Sequence, residues 1–131
     1  MTDVQKIGIV VYSDDPKSLA MAMNLGHVAL AMESEVIVYF TFDGLTHLQE
    51  GEKDLADFQH LVDAGVPDPY DLLADFVASG DDLVTTVACT TTLDMLDWEK
   101  ESMDDDVTTR FAGAADFLRV TADAEHVFTF G

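Results

Sequence analysis

Cys89 is the only cysteine in this chain of 131 residues, so any covalent chemistry through sulfur must run through one atom. It closes a β-branched run, Leu83-Val84-Thr85-Thr86-Val87-Ala88, and is followed at once by Thr90, Thr91, Thr92 and Leu93. This pattern predicts a buried strand that passes directly into a helix, the junction where an open α/β sheet presents its chemistry. Unpaired N–H groups of a first helical turn favour a thiolate over a thiol. The three threonine hydroxyls add groups able to hold a terminal sulfur. Asp94, Asp97 and the strongly negative chain oppose ionisation, so the expectation is a modestly activated thiol. The competing reading is a small hydrophobe buried at a strand end. A lone cysteine excludes an intrachain disulfide and a cysteine-rich zinc site.

Other reactive side chains are expected near the same carboxyl edge of the sheet. His47 follows the second predicted strand and is the candidate base or cation for Cys89, with a surface histidine as the alternative. Ser13 and Asp14 end the first strand and are candidate pocket residues, although such residues also cap helices. His27, His60 and His126 lack metal-binding spacing, and the run Asp104-Asp105-Asp106 reads as a solvated turn. No metal or cofactor is implied. The chain has no GxGxxG, Walker A, CxxC or HExxH motif, which disfavours dinucleotide, nucleotide, thioredoxin-type and zinc-protease chemistry. A phosphatase loop would need arginine where Met95 stands. A receiver domain would need a phosphoacceptor aspartate where Cys89 stands.

Composition narrows the setting. Acidic residues number 26 against 6 basic ones, for a formal net charge of −20, while 48% of residues are hydrophobic. A chain so rich in apolar residues forms a core and is no disordered acidic tail. The carboxylates are spread along its whole length, which reads as a solvation device for a salt-rich cytoplasm, the alternative being a mesophilic protein with an acidic docking face: screening shortens from about 10 Å at 0.1 M salt to about 3 Å at 1 M. Nucleic-acid binding is excluded by the lack of a basic stripe to displace counterions from phosphate. No apolar run approaches the roughly 18 residues of a membrane span. The start, Met1-Thr2-Asp3-Val4-Gln5-Lys6, lacks the basic and apolar regions of a signal peptide.

The elements that must position these residues alternate in type. Apolar strands are predicted at 6–12, 35–42 and 83–89, a very short one at 107–109, and a closing one at 126–130. Helices are predicted at 17–32, 54–62, 70–78, 93–99 and 111–124, with a helical turn at 45–49 and a loop at 64–69. The β-α alternation predicts one domain over 1–131: a three-layer α/β/α sandwich around a mostly parallel five-stranded sheet. In the first helix Leu19, Met21, Met23, Leu25, Val28, Leu30 and Met32 go most of the way round. That predicts burial on several sides and a homo-oligomer contact over 19–32.

Three segments together resemble the DsrE/DsrF-like family. Tyr39-Phe40-Thr41-Phe42-Asp43-Gly44-Leu45 is similar to its aromatic-Thr-Phe-x-Gly-Leu signature. Val87-Ala88-Cys89-Thr90-Thr91-Thr92-Leu93-Asp94-Met95-Leu96 is similar to its strand-Ala-Cys-to-helix element. The third is the carboxyl-terminal layout with Gly113-Ala114-Ala115. The resemblance implies a five-stranded sandwich, oligomers, and Cys89 as a persulfide carrier between a donor and an acceptor protein, with Phe42 and Gly44 beside the pocket. The Thr-rich, then acidic stretch after Cys89 departs from the alanines and basic-Gly pair of the relay subunits. The alternative is a non-catalytic oligomeric module in which Cys89 is structural.

Overall fold

A computed structural model describes residues 5–131, so the reading of Met1, Thr2, Asp3 and Val4 lies outside the described residues. The chain runs β1 (Lys6–Val11), α1 (Pro16–Ala31), β2 (Glu35–Phe40), a 3-10 segment (Phe42–Leu48), α2 (Gln59–Asp63) and α3 (Pro69–Gly80). It continues through β3 (Val84–Cys89), α4 (Thr90–Leu96), β4 (Arg110–Ala112), α5 (Ala114–Val120) and β5 (His126–Phe130). The five strands form one sheet of order β4-β3-β2-β1-β5, and every pairing is parallel.

Helix starts follow their caps. Asp15 accepts from the Lys17 amide ahead of Pro16, and Asp68 accepts from the Tyr70 amide ahead of Pro69. In both, the carboxylate satisfies an orphan donor, and proline takes the position where its missing N–H costs nothing.

The connections decide how the sheet is covered. Three successive crossovers step from β1 to β4 in one direction, and the right-handed rule puts their helices on one face. The return from β4 to β5 crosses the other face, carrying only α5. On the first face Ile9, Val11, Val36, Val38, Phe40 and Ala88 pack with Leu19 and Met23 of α1 and Leu73 and Phe76 of α3. On the second, Ile37, Tyr39, Val87 and Cys89 pack with Phe117 of α5.

The inward residues of α1, Leu19, Ala22, Met23 and Ala29, are buried within the chain's own core. That accounts for much of the helix's all-round apolar pattern; Met21, Val28 and Met32 stay exposed.

Several boundaries differ from the sequence expectations for identifiable reasons. The short strand lies at Arg110–Ala112 rather than 107–109, and one step earlier hydroxyls share the pairing. Thr86 N–H donates to Thr109 Oγ1 at 2.8 Å, and Thr109 N–H is shared between the Thr86 carbonyl at 3.1 Å and Thr86 Oγ1 at 3.0 Å. The helix expected over 111–124 is cut to Ala114–Val120, since Phe111 and Ala112 belong to the strand and Gly113 is extended. The helix expected over 54–62 shrinks to Gln59–Asp63, because the Asp54 carboxylate turns the chain by accepting from Ala56 N–H. The helix after Cys89 starts at Thr90, without delay, and ends where Asp97 turns left-handed at φ 56°.

Candidate functional site

Cys89 is the last residue of β3, on the α5 face, and is 3% exposed. In the parallel register Tyr39 of β2 pairs with Val87. Cys89 is two residues further along β3, so both side chains point to the same face. The Tyr39 hydroxyl donates to Cys89 Sγ at 2.9 Å, and its ring stacks on Phe117 with centroids 4.9 Å apart.

The threonines complete the setting. Thr41 and Thr92 hydroxyls lie 3.1 Å apart, and Phe42 N–H donates to Thr92 Oγ1 at 3.3 Å. One of these two hydroxyls donates to the other, so one hydroxyl hydrogen of the pair is left to point at the sulfur. Burial alone pushes the Cys89 thiol up. Hydrogen bonds from the Thr92 hydroxyl, Tyr39, the Thr92 amide and Thr41 outweigh it and hold the thiol below its ordinary value. The donors are mainly side chains. With α4 only seven residues long, the helix dipole is a lesser contributor than the sequence pattern suggests. Tyr39 itself is held well above the usual tyrosine range, first by burial and then by the bond to Cys89, so it remains a donor.

A cavity of about 290 Å³ opens beside the sulfur, lined by Tyr39, Thr41, Phe42, Cys89, Thr91, Thr92, Met95 and Ala114. Phe42, 63% exposed, and Met95, 75% exposed, stand as an apolar rim at its mouth. Phe42 adopts φ 49°, a conformation unfavourable for a bulky residue and kept only where surrounding contacts impose it. One such contact is the Thr92 hydroxyl that accepts from its amide.

The other expected site residues divide. Thr91, Thr92 and Phe42 line the cavity, whereas Thr90 does not. Gly44 serves packing: a Cβ there would sit 2.1 Å from the Val11 carbonyl oxygen, so the 3-10 segment can press against the end of β1 only as glycine. His47 is not the partner of Cys89. It is fully buried on the α1 face, with Nε2 2.8 Å from the Ser13 carbonyl and Nδ1 2.8 Å from the Tyr70 hydroxyl. A carbonyl only accepts, so Nε2 carries the hydrogen, and Nδ1 accepts from Tyr70. Burial holds His47 below its ordinary value, so it is neutral at pH 7 and supplies no cation.

Ser13 and Asp14 join that second cluster. Asp14 lines a separate polar cavity of about 230 Å³ with Lys53 and Tyr70. Among the described residues no three His, Cys, Asp or Glu side chains are grouped to hold a metal ion. Tyr39, Thr41, Met95 and Ala114 were not picked out by the sequence pattern. The detectable signal was register, since aligning the carboxyl ends of β2 and β3 puts Tyr39 and Thr41 beside Cys89.

The match to known proteins agrees with this architecture. A model of the DsrE/DsrF-like family matches residues 5–130. The chain belongs to the DsrE/DsrF-like family. Among solved structures it is similar to the protein of unknown function MTH1491 from Methanobacterium thermoautotrophicum, with TM-score 0.61 and 16% identity over 95% of this chain and 98% of that one. That likeness concerns the fold alone. No curated protein matches the chain. The polar contacts of Cys89 say what chemistry its cavity can support.

Proposed function

We propose that the protein is a sulfur carrier that holds sulfur as a persulfide on Cys89 and passes it to a protein partner. The observation that carries this reading is that the Tyr39 hydroxyl donates to a sulfur that shares an apolar cavity with the hydrogen-bonded Thr41–Thr92 hydroxyl pair. In loading, the Cys89 thiolate attacks the outer sulfur of a donor persulfide. The donor S–S bond breaks, its inner sulfur leaves as a thiolate, and Cys89 bears the new S–S bond. In delivery an acceptor thiolate attacks the outer sulfur and Cys89 leaves as thiolate, with no net oxidation in either step. The donors that hold the thiolate also assist its departure, and the apolar walls shelter the persulfide from water and oxidants. The setting proposed is a salt-rich cytoplasm, in keeping with the net charge of −20. No helix among the described residues is long and apolar enough to cross a membrane.

The 3% exposure of Cys89 favours a second reading, an oligomeric module with a structural cysteine. Mass spectrometry of protein purified without reductant, with Cys89→Ser as control, separates the two. The carrier is expected to show one added sulfur atom on Cys89 and to react with a thiol reagent while folded. A thiol that stays inert until denaturation, with no adduct, would sink the carrier reading.

A further inference from the structure

We infer that Phe42 and Met95 form a collar that chooses which thiols exchange sulfur with Cys89, admitting a thiol flanked by uncharged apolar groups and turning away one flanked by charge. This selection rests on the carrier reading and names the class of partner that the site takes. Cys89 is 3% exposed, so a reacting thiol has to enter the cavity and bring its neighbouring atoms with it. The cavity has room for them. Its volume is about 290 Å³, whereas a water molecule's share of liquid volume is about 30 Å³. A single added sulfur therefore leaves most of the space to the groups that flank the incoming thiol.

Polarity decides which groups fit. No Asp, Glu, Lys, Arg or His lines the cavity, in a chain where 26 of 131 residues are acidic. Its buried hydroxyls are already engaged: Tyr39 donates to the sulfur, and Thr41 and Thr92 bond to each other. A carboxylate or ammonium carried in beside the reacting thiol would lose its water and gain no ionic partner. An apolar group would instead exchange water for the ring of Phe42 and the thioether of Met95. Both side chains stand largely in solvent, so neither is there to fill the core. Phe42 also holds φ 49°, where glycine or asparagine would be easier, so local backbone preference does not account for an aromatic at that place. For the protein partner proposed above, the reacting cysteine is one with apolar neighbours.

Labelling of the full folded chain with methanethiosulfonate reagents tests the selection, at molar salt so that screening over about 3 Å suppresses the field of the whole molecule. The Cys89 thiolate attacks the sulfenyl sulfur and a new S–S bond forms, while the S–SO₂ bond breaks and methanesulfinate leaves with its electron pair. Each rate is divided by that of free cysteine with the same reagent. The benzyl reagent is expected to react about tenfold faster than the methyl one, and the sulfonatoethyl and trimethylammonioethyl reagents each about tenfold slower. Phe42→Ala is expected to remove the benzyl advantage. Met95→Lys, at an exposed position, is expected to raise the sulfonatoethyl rate and lower the trimethylammonioethyl rate. Equal rates for all four reagents, or the cationic reagent fastest, would overturn the collar and leave the carrier reading standing. So would variants that keep the wild-type order. A folded chain inert to every reagent, yet modified after denaturation, would remove the carrier reading and this selection together.

Discussion

The two faces of this sheet bury ionisable groups in opposite ways. On the α1 side His47 is enclosed, and each ring nitrogen is matched to one partner. On the α5 side Cys89 is almost as buried, yet its sulfur meets several donors and a cavity of about 290 Å³. His47 therefore acts as a fixed tie between the ends of β1, the 3-10 segment and α3. Cys89 sits where an added atom has both room and hydrogen-bond partners. The difference follows from topology, because three crossovers thicken one face and a single short return leaves the other thin.

The largest expected effect sharpens that contrast in stability. Phe76→Ala on the thick face empties a fully buried site and is expected to lower unfolding free energy by about 3–5 kcal/mol. Leu118→Ala on the thin face is expected to change monomer stability by less than about 0.5 kcal/mol. Denaturant midpoints at equal salt and equal protein concentration check both. Equal losses would mean that the two faces contribute equally to the stability of the monomer.

Next in size is His47→Ala. It strips the Tyr70 hydroxyl and Ser13 carbonyl of their partner, and a loss of about 1–3 kcal/mol is expected. The pH profile of Cys89 alkylation should not move. A raised Cys89 titration in this variant would restore His47 as a functional partner and break the division between the faces.

Tyr39→Phe should act the other way, with little loss of packing and a clear change in the thiol. Removing one donor to the sulfur, worth about 1.5 kcal/mol for a bond to a charged group, is expected to raise the apparent Cys89 pKa. The alkylation rate at a pH below the titration then falls about tenfold. Thr92→Val should shift it in the same direction. An unshifted profile in both variants would show that the donors do not favour the thiolate.

How much of this was legible in the sequence differs by kind of signal. The succession of strands and helices was recoverable, since the β-branched runs at Ile7, Val36 and Val84 alternate with helical segments, the first opened at Pro16. The Cys89 junction was legible because a buried strand that passes straight into threonines leaves no residues for a loop between strand and helix. His47 was misassigned because order along the chain shows which edge a residue is on, but not which face. The turn that carries it begins at Phe42, whose left-handed backbone no propensity would favour. Tyr39 looked like core filling because its hydroxyl has a role only once β2 and β3 are set in register. The shortness of α5 was hidden by Phe111 and Ala112, whose apolar character suits a strand and a helix equally well.

The smallest effect tests the thick face alone. Burial first, and then the Lys53 charge, lower the His47 pKa, while the Ser13 bond, Asp14 and Asp15 act to raise it. With the folded value below the ordinary 6.5, the unfolded chain takes up the proton first. The stabilisation from neutral His47 is therefore complete above about pH 6.5 and is lost as pH falls below that, towards the folded value. Protonation would have to occur at Nδ1, where Tyr70 now donates. Tyr70 is held up at about 12, by burial and then by Asp68 and Asp14, so it can yield only by turning its hydrogen away. Acid also discharges carboxylates and relieves the repulsion of a chain with 26 of them, which masks the effect in the wild type alone. His47→Gln keeps that background and removes the titration. Between pH 7 and 5 the wild type is expected to lose more stability, or gain less, than the variant. Parallel stability curves would mean that the site accepts the charged ring as readily as the neutral one, and the fixed tie would then have to be reassigned.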